Sequence, residues 1–211
     1  MPARQSPHPT RQALMDAARQ LLDSGRAFGS LSLREVARAA GIVPTGFYRH
    51  FKDMDALGLA LVAEVGETFR TTLRQVRRNE FELGGIIDAS VQIFLRAVEQ
   101  HRGQFLFLAR EQYGGSLPVR QALAAFRDDI AADLTSDLSL MPKLQHLDEA
   151  ARSVLADLVV KTVFATLPEL IDPQTAALPA HRRPEAKMIE QLRFILIGAK
   201  RWRGLSAGDK D

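Results

Sequence analysis

The sequence predicts an all-α protein of two domains. Apolar residues recur at intervals of three and four through most of the 211 residues, and no segment sustains the alternation of a half-buried strand. Glycines and prolines fall mainly between the periodic segments, where helices end. We expect a flexible arm at residues 1–9, a small three-helix domain at residues 10–53 and a larger helical domain at residues 54–211.

The N-terminal segment combines a polar arm with a first helix. Three prolines in residues 1–9 favour disorder. Arg4 and Arg11 are either solvated or placed to reach the phosphates or minor groove of a duplex. Apolar residues at helical spacing predict a helix from Thr10 to Asp23. The side chains expected in the small core are Leu14, Ala17, Ala18, Leu21 and Leu22, completed by Phe28 and Leu31.

The stretch from Ser32 to Phe51 predicts two short helices joined by a glycine turn. Ser32 and Glu35 have the spacing of a capping box, in which each side chain satisfies a backbone amide of the other residue. Gly41 can adopt the left-handed conformation that ends a helix, and Pro44 has the fixed φ of a first helical turn. Two helices joined in this way form a helix-turn-helix.

The second of these helices is predicted to be aromatic on its inner side and small and basic on its outer side. At about 100° per residue, Phe47 and Phe51 share one side. The other side presents Thr45, Gly46, Tyr48 and Arg49. A helix in a major groove needs small residues for close approach and donors for bases and phosphates. Acidic residues are absent from positions 41–52.

Charge is distributed unevenly along the chain. Residues 1–52 hold eight Lys or Arg against three acidic residues, a net charge of +5, and the other 159 residues sum to −2. A basic small domain beside a near-neutral larger one indicates a polyanionic partner for the small domain.

The composition also bounds the compartment and the chemistry. There is no cysteine, which excludes disulfides and thiolate metal sites and favours the cytoplasm. No apolar run reaches the roughly 18 residues that cross a bilayer, and the N-terminus lacks a signal-peptide pattern. The five histidines are scattered and no nucleophile or phosphate-loop motif is present. We therefore expect a cytoplasmic, non-enzymatic protein with no membrane partner and no metal.

Residues 54–211 predict a series of amphipathic helices. The segment from Met54 to Arg78 lacks proline and keeps one apolar stripe, which predicts a helix about 37 Å long. Its Gly58 and Gly66 are either close-packing sites or tolerated helix glycines. After Gly84 and Gly85, further helices are expected from Ile87 to about Gly103, over Gln104–Arg110, and from Pro118 through Leu138.

The last two apolar segments differ from those before them. Val154–Phe164 and Phe194–Ala199 are apolar around most of the helix circumference, which indicates burial on two sides. They form either a buried hairpin in a monomer or the four-helix interface of a homodimer. The intervening loop from Asp172 to Pro184 carries Arg182 and Arg183, which are either solvated or placed to meet an anionic ligand head.

The stretch LSLREVARAAGIVPTGFYRHFKDMDAL resembles the DNA-binding signature of TetR-family repressors over 27 positions. The resemblance implies that residues 10–53 form a DNA-binding domain of a homodimer that reads a palindromic duplex operator. Two positions depart from the common pattern: Val43 replaces a capping serine, and Met54 replaces a phosphate-contacting lysine. The residues implied in base contacts are Thr45, Gly46, Tyr48 and Arg49, and those implied in phosphate contacts are Arg34, His50 and Lys52.

A narrower resemblance extends beyond this signature. The segments SLREVA, FYRHF, LAREQYGGS and KRWR are similar to those of the FabR and DesT repressors of unsaturated fatty acid synthesis. That similarity implies a long-chain acyl-CoA effector, no bound cofactor, and an apolar cavity with cations near its mouth for the CoA head. The candidate cavity residues, which an ordinary core would also contain, are Phe94, Phe105, Phe107, Leu108, Phe126 and Phe164.

Two other interpretations of the ligand domain remain open. A TetR-like repressor that senses a different apolar molecule, such as a drug, would share the same DNA-binding domain. A helical acyl-binding carrier or enzyme would leave the outer face of the second short helix without a function.

Overall fold

The computed structural model describes residues 9–78 and 86–204, which form nine α-helices and four short 3-10 turns without a strand. The all-α prediction is confirmed. The predicted arm, apart from its last residue, and the glycine pair at 84 and 85 lie outside the described residues. The helices are α1 (Pro9–Asp23), α2 (Leu33–Ala39), α3 (Pro44–Phe47), α4 (Met54–Arg78), α5 (Ile86–Gln100), α6 (Arg102–Glu111), α7 (Leu117–Ser139), α8 (Glu149–Ile171) and α9 (Pro184–Arg201).

The chain divides into two compact units. The first consists of residues 1–75 and 96–124, and the second of residues 76–95 and 125–211. The domain boundary predicted at residue 54 coincides with the first residue of α4. The compact units instead divide the chain near the end of α4, and they place α6 in the same unit as the helix-turn-helix.

The core of the first unit forms where α1 packs against α2 and α6. Leu14, Leu22 and Phe28 are buried as predicted. The Phe28 ring meets the Phe107 ring of α6 edge to face, with 5.8 Å between centroids. The predicted small core is therefore completed by a helix that lies about 80 residues further along the chain.

The long helix α4 has the bounds that the sequence predicts. Its stripe of Leu57, Leu61, Val65 and Phe69 is buried. A Cβ added at Gly58 would lie 2.5 Å from Val119 Cγ2 and 2.9 Å from the Phe28 ring. Gly58 is therefore a close-packing site rather than a merely tolerated glycine.

The second unit contains the last two helices, α8 and α9, which pack against each other. Asp148 caps α8, since its Oδ1 accepts from the Ala151 N–H at 2.7 Å. A cluster of buried residues supports the inner side of the pair: Leu138, Leu144, Leu147, Leu155 and Ala156. The other side of the pair exposes large apolar residues: Val154, Leu158, Phe194 and Ile197.

Four helix starts differ from the prediction by one or two residues. Helix α1 begins at Pro9 instead of Thr10, and α5 begins at Ile86 instead of Ile87. Helix α6 begins at Arg102 instead of Gln104. Helix α7 begins at Leu117 instead of Pro118, because the Ser116 hydroxyl accepts from the Val119 N–H at 3.3 Å and so supports the first turn. The predicted loop between α8 and α9 is present, with Arg182 and Arg183 exposed.

Candidate nucleic-acid interface

The start of α2 is fixed by the predicted capping box. Ser32 Oγ accepts from the Glu35 N–H at 3.3 Å, and Glu35 Oε2 accepts from the Ser32 N–H at 2.9 Å. Arg26 Nη1 donates to Glu35 Oε1 at 2.7 Å. The Arg26 hydrogen bond, followed by that of the Ser32 hydroxyl, lowers the pKa of Glu35 from 4.5 to about 2. The carboxylate therefore ties α2 to the segment that precedes it.

The turn after α2 has the geometry that the sequence predicts. Gly41 has a φ of 69°, in the left-handed region that glycine adopts without steric cost. Its N–H donates to Arg38 O at 3.0 Å, and the Ile42 N–H donates to Ala37 O at 2.8 Å. These two bonds form a Schellman motif, which ends α2 and directs the chain into α3.

The recognition segment, residues 43–51, is only partly α-helical. Val43 precedes α3 without a side-chain cap, as its side chain predicts, and Pro44 occupies the first turn. The regular helix ends at Phe47, where the sequence predicts a helix through Phe51. Both the His50 and the Phe51 N–H bond to Phe47 O, at 2.9 and 3.0 Å, so the chain continues in tightened turns.

The two sides of the recognition segment are separated as predicted. Phe47 and Phe51 are 0% and 4% exposed, and their ring centroids are 5.6 Å apart. Tyr48 is 63% exposed, and Thr45 and Arg49 are also exposed. An aromatic anchor therefore holds the segment while its small and basic side remains accessible.

Gly46 has an intramolecular role in addition to the predicted one. A Cβ at this position would lie 2.7 Å from Ile42 Cγ2. The absence of a side chain therefore relieves a contact inside the turn, and the close approach of a duplex at this position stays a prediction. Sequence spacing alone does not reveal this contact.

The predicted phosphate-contacting residues differ in accessibility. Arg34 and Lys52 are exposed, whereas His50 is half-buried. Lys52 Nζ lies 3.7 Å from a carboxylate oxygen of Asp53. Arg11 is exposed and contacts the buried side of the recognition segment, with its guanidinium 4.9 Å from the centroid of the Phe51 ring. No local pattern links these two residues, because they are 40 positions apart.

The six candidate cavity residues are all buried but are divided between the two units. Phe105, Phe107 and Leu108 belong to the first unit, where the Phe105 ring lies 6.2 Å from that of Phe69. Phe126 and Phe164 belong to the second unit, with ring centroids 6.3 Å apart, as does Phe94. Their role as ligand contacts stays a prediction.

An apolar cavity of about 130 Å³ lies in the second unit. It is formed by residues other than the six candidates. Its lining residues are Ile87, Ser90, Leu134, Leu138, Met141, Leu155, Val159, Leu192 and Leu196.

Metal-binding and membrane-crossing features are not found in residues 9–78 and 86–204. No three His, Cys, Asp or Glu side chains are grouped to hold a metal ion there. Among the helices of the same residues, none has the length and apolar character needed to cross a bilayer.

A helix-turn-helix with a buried aromatic side and an exposed small and basic side defines the class of DNA-binding proteins that read a duplex with a recognition helix. Residues 14–61 match the family model described as bacterial regulatory proteins, tetR family. Residues 83–198, more than half of the chain, match the model described as tetracyclin repressor-like, C-terminal domain. The chain belongs to the TetR family of DNA-binding transcriptional regulators, which bind operator DNA as homodimers and are not enzymes.

Solved structures of this fold extend over nearly the whole chain. A putative TetR-family regulator from Syntrophomonas wolfei is 17% identical, with a TM-score of 0.69 and coverage of 95% of this chain and 98% of its own. GusR of Salmonella enterica is 22% identical, with a TM-score of 0.69 and coverage of 92% and 98%. The fatty acid degradation regulator FadR of Bacillus halodurans is 14% identical, with a TM-score of 0.62 and coverage of 91% and 97%. At these identities the likeness concerns the fold.

Proposed function

We propose that this protein is a cytoplasmic homodimeric repressor that binds a palindromic operator. Its affinity for the operator falls or rises when a hydrophobic effector binds. Base contacts are assigned to Thr45, Gly46, Tyr48 and Arg49, and phosphate contacts to Arg34, His50 and Lys52. The main observation in favour of DNA binding is that Tyr48 is exposed beside the fully buried Phe47. An exposed aromatic side chain on a recognition helix is available to contact the duplex.

The homodimer is supported by the outer faces of α8 and α9. Phe194 is 80% exposed and Val154 is 60% exposed, although both lie on helices whose other sides are packed. Large apolar side chains exposed on two helices that pack together are typical of a subunit interface. Two such helices from each subunit would form a four-helix interface. The two recognition segments would then be related by the two-fold symmetry of the operator.

For the effector we propose a long-chain acyl-CoA, with the regulated genes in unsaturated fatty acid synthesis or desaturation. This rests on the narrower sequence resemblance and on the apolar lining of the cavity in the second unit. The cavity volume of about 130 Å³ is below the roughly 300 Å³ at which ligand pockets begin. A long acyl chain would therefore have to widen this cavity or use further space, and it would bind only if the helices around it move.

Such a movement supplies a mechanism for regulation. Two recognition segments bind two half-sites well when they are about 34–36 Å apart, one helical turn of DNA. An effector that alters the course of the helices in the second unit would change this separation, and a dimer held at the wrong separation would lose one half-site.

Thermal unfolding with candidate effectors tests the ligand part. A bound ligand stabilises the folded protein by an amount that grows with its concentration relative to its Kd. We expect long-chain acyl-CoA to raise the unfolding temperature more than free fatty acid or free CoA does. Stabilisation by cationic drugs alone would replace the acyl-CoA proposal with the drug-sensing alternative and leave the DNA proposal intact. If an acyl-binding carrier or enzyme were the correct interpretation, Arg49→Ala would leave its activity unchanged.

A further inference from the structure

Glu111, the last residue of α6, is buried although it carries an ionisable side chain. It is 1% exposed. Oε1 accepts a hydrogen bond from the backbone N–H of Phe28 at 2.8 Å, and Oε2 has no hydrogen-bond partner among the described residues. Burial of an incompletely paired carboxylate costs stability, so this residue is not explained as an ordinary core residue.

The bond to Phe28 serves a local need of the connection between α1 and α2. Phe28 begins a 3-10 turn, and the first N–H groups of a helical turn have no acceptor within that turn. Ala27, the preceding residue, makes no side-chain cap. The missing acceptor comes from Glu111, 83 positions further along the chain.

Two further hydrogen bonds connect the residues around Glu111 to helices α1 and α4. We call residues 110–116, which include most of the motif LAREQYGGS, the α6–α7 turn. Arg110 Nη1 donates to Leu22 O, near the end of α1, at 3.1 Å. Ser116 Oγ donates to Asp55 Oδ1, in the first turn of α4, at 2.7 Å. The α6–α7 turn therefore contacts the helices on both sides of the helix-turn-helix.

Hydrogen bonds and packing contacts connect the 3-10 turn that begins at Phe28 with the recognition segment. Arg26 donates to Ser30 O at 2.8 Å and to Glu35 Oε1 at 2.7 Å. Glu35 in turn completes the capping box that starts α2, and α2 packs against α3. A displacement of the Phe28 backbone would therefore be transmitted to the recognition segment through this short turn, the hydrogen bonds of Arg26 and Glu35, and the packing of α2 against α3.

We propose that Glu111 is a positioning residue for DNA reading: its bond to the Phe28 N–H fixes the angle of the helix-turn-helix on α6. All of these contacts lie within the first compact unit. Helix α6 and the recognition segment then move as one body. In a homodimer, the position of the Glu111 side chain determines how strongly the two recognition segments discriminate between operators with different half-site spacing.

Two adjacent glycines provide a matched test of this assignment. A Cβ added at Gly114 would overlap Glu111 Oε2, whereas one added at Gly115 would have no neighbour within 4 Å. Neither glycine has a positive φ, so alanine is compatible with the backbone at both positions. Gly114→Ala displaces the Glu111 carboxylate. Gly115→Ala adds the same methyl group and leaves the Glu111 carboxylate in place. Glu111→Leu removes the acceptor, and Glu111→Gln keeps an amide oxygen for Phe28.

The experiment uses the full-length protein and the palindromic duplex that it selects from a random library. We expect Gly114→Ala and Glu111→Leu to bind this duplex about tenfold more weakly, because leaving a buried hydrogen-bonding group without its partner changes an equilibrium by roughly this factor. Gly115→Ala and Glu111→Gln are expected to stay within about twofold of the wild type.

A second duplex, with one base pair inserted between the half-sites, separates positioning from general damage. The wild type should discriminate strongly between the two duplexes, and Gly114→Ala should discriminate less because its recognition segments can adjust. A merely structural defect would weaken both duplexes equally and leave the ratio unchanged. Should Glu111→Leu fail to fold, Gly114→Ala still decides the matter. Equal binding by Gly114→Ala and Gly115→Ala, or an unchanged ratio in Gly114→Ala, would overturn the proposal.

Discussion

The adjacent aromatic residues Phe47 and Tyr48 should respond to alanine substitution in opposite ways. Phe47 is 0% exposed, and truncating a fully buried Phe costs about 3–5 kcal/mol of folding free energy. Tyr48 is 63% exposed, and its ring meets the Phe47 ring edge to face with 6.0 Å between centroids. A contact of this kind contributes about 0.5–1.5 kcal/mol, so Tyr48→Ala should cost much less stability than Phe47→Ala.

For operator binding, measured at a temperature where both variants are folded, Tyr48→Ala should have the larger effect of the two substitutions. Loss of a base or sugar contact in the groove costs about 1–3 kcal/mol for each half-site. Tyr48→Ala should therefore weaken binding by about 5- to 150-fold for each half-site while the protein remains folded and dimeric. The folded fraction of Phe47→Ala should retain the reading surface and bind once its lower stability is taken into account.

Two measurements on the same samples check this pair. Denaturant unfolding gives the change in stability, and electrophoretic retardation on the selected duplex at one fixed salt concentration gives the change in affinity. Size-exclusion chromatography confirms that each variant keeps its oligomeric state. If Tyr48→Ala retards the duplex as the wild type does, the exposed side of the recognition segment is not the reading surface, and the assignment of all four base-contacting residues is wrong.

Two further predictions concern stability. Gly58→Ala should destabilise the protein by about 1–3 kcal/mol in denaturant unfolding, because the added methyl group would meet Val119 and Phe28; a stability gain would show that helix propensity outweighs this overlap. Glu35, whose pKa is lowered from 4.5 to about 2, stabilises the fold above pH 4.5 and loses this effect as the pH falls towards 2. The stability difference between the wild type and Glu35→Gln should therefore shrink over that range, and parallel pH profiles would contradict the role given to Arg26.

Local sequence patterns account for the helix-turn-helix because the interactions that define it are local. The capping box joins residues three apart, and the Schellman turn needs one glycine with a φ of 69°. The bounds of α4 were likewise predictable, since an uninterrupted apolar stripe leaves one continuous helix as the simplest structure. In the recognition segment, the sequence predicted which side chains are buried and which are exposed, but it did not predict where the regular helix ends. Tightened turns place Phe51 much as a regular helix would, so the sequence pattern does not distinguish the two.

The sequence alone determined the all-α class, the buried and exposed sides of the helix-turn-helix and the resemblance to TetR-family repressors, because caps, glycine turns and helical periodicity act over a few residues. Only the tertiary structure showed which residues the motif LAREQYGGS contacts and what Gly58 packs against. Glu111 and Phe28 are 83 positions apart, and no periodicity relates residues at such a distance. Their contact exists because α1 and α6 pack together, and that packing minimises the free energy of the folded unit as a whole rather than of either segment.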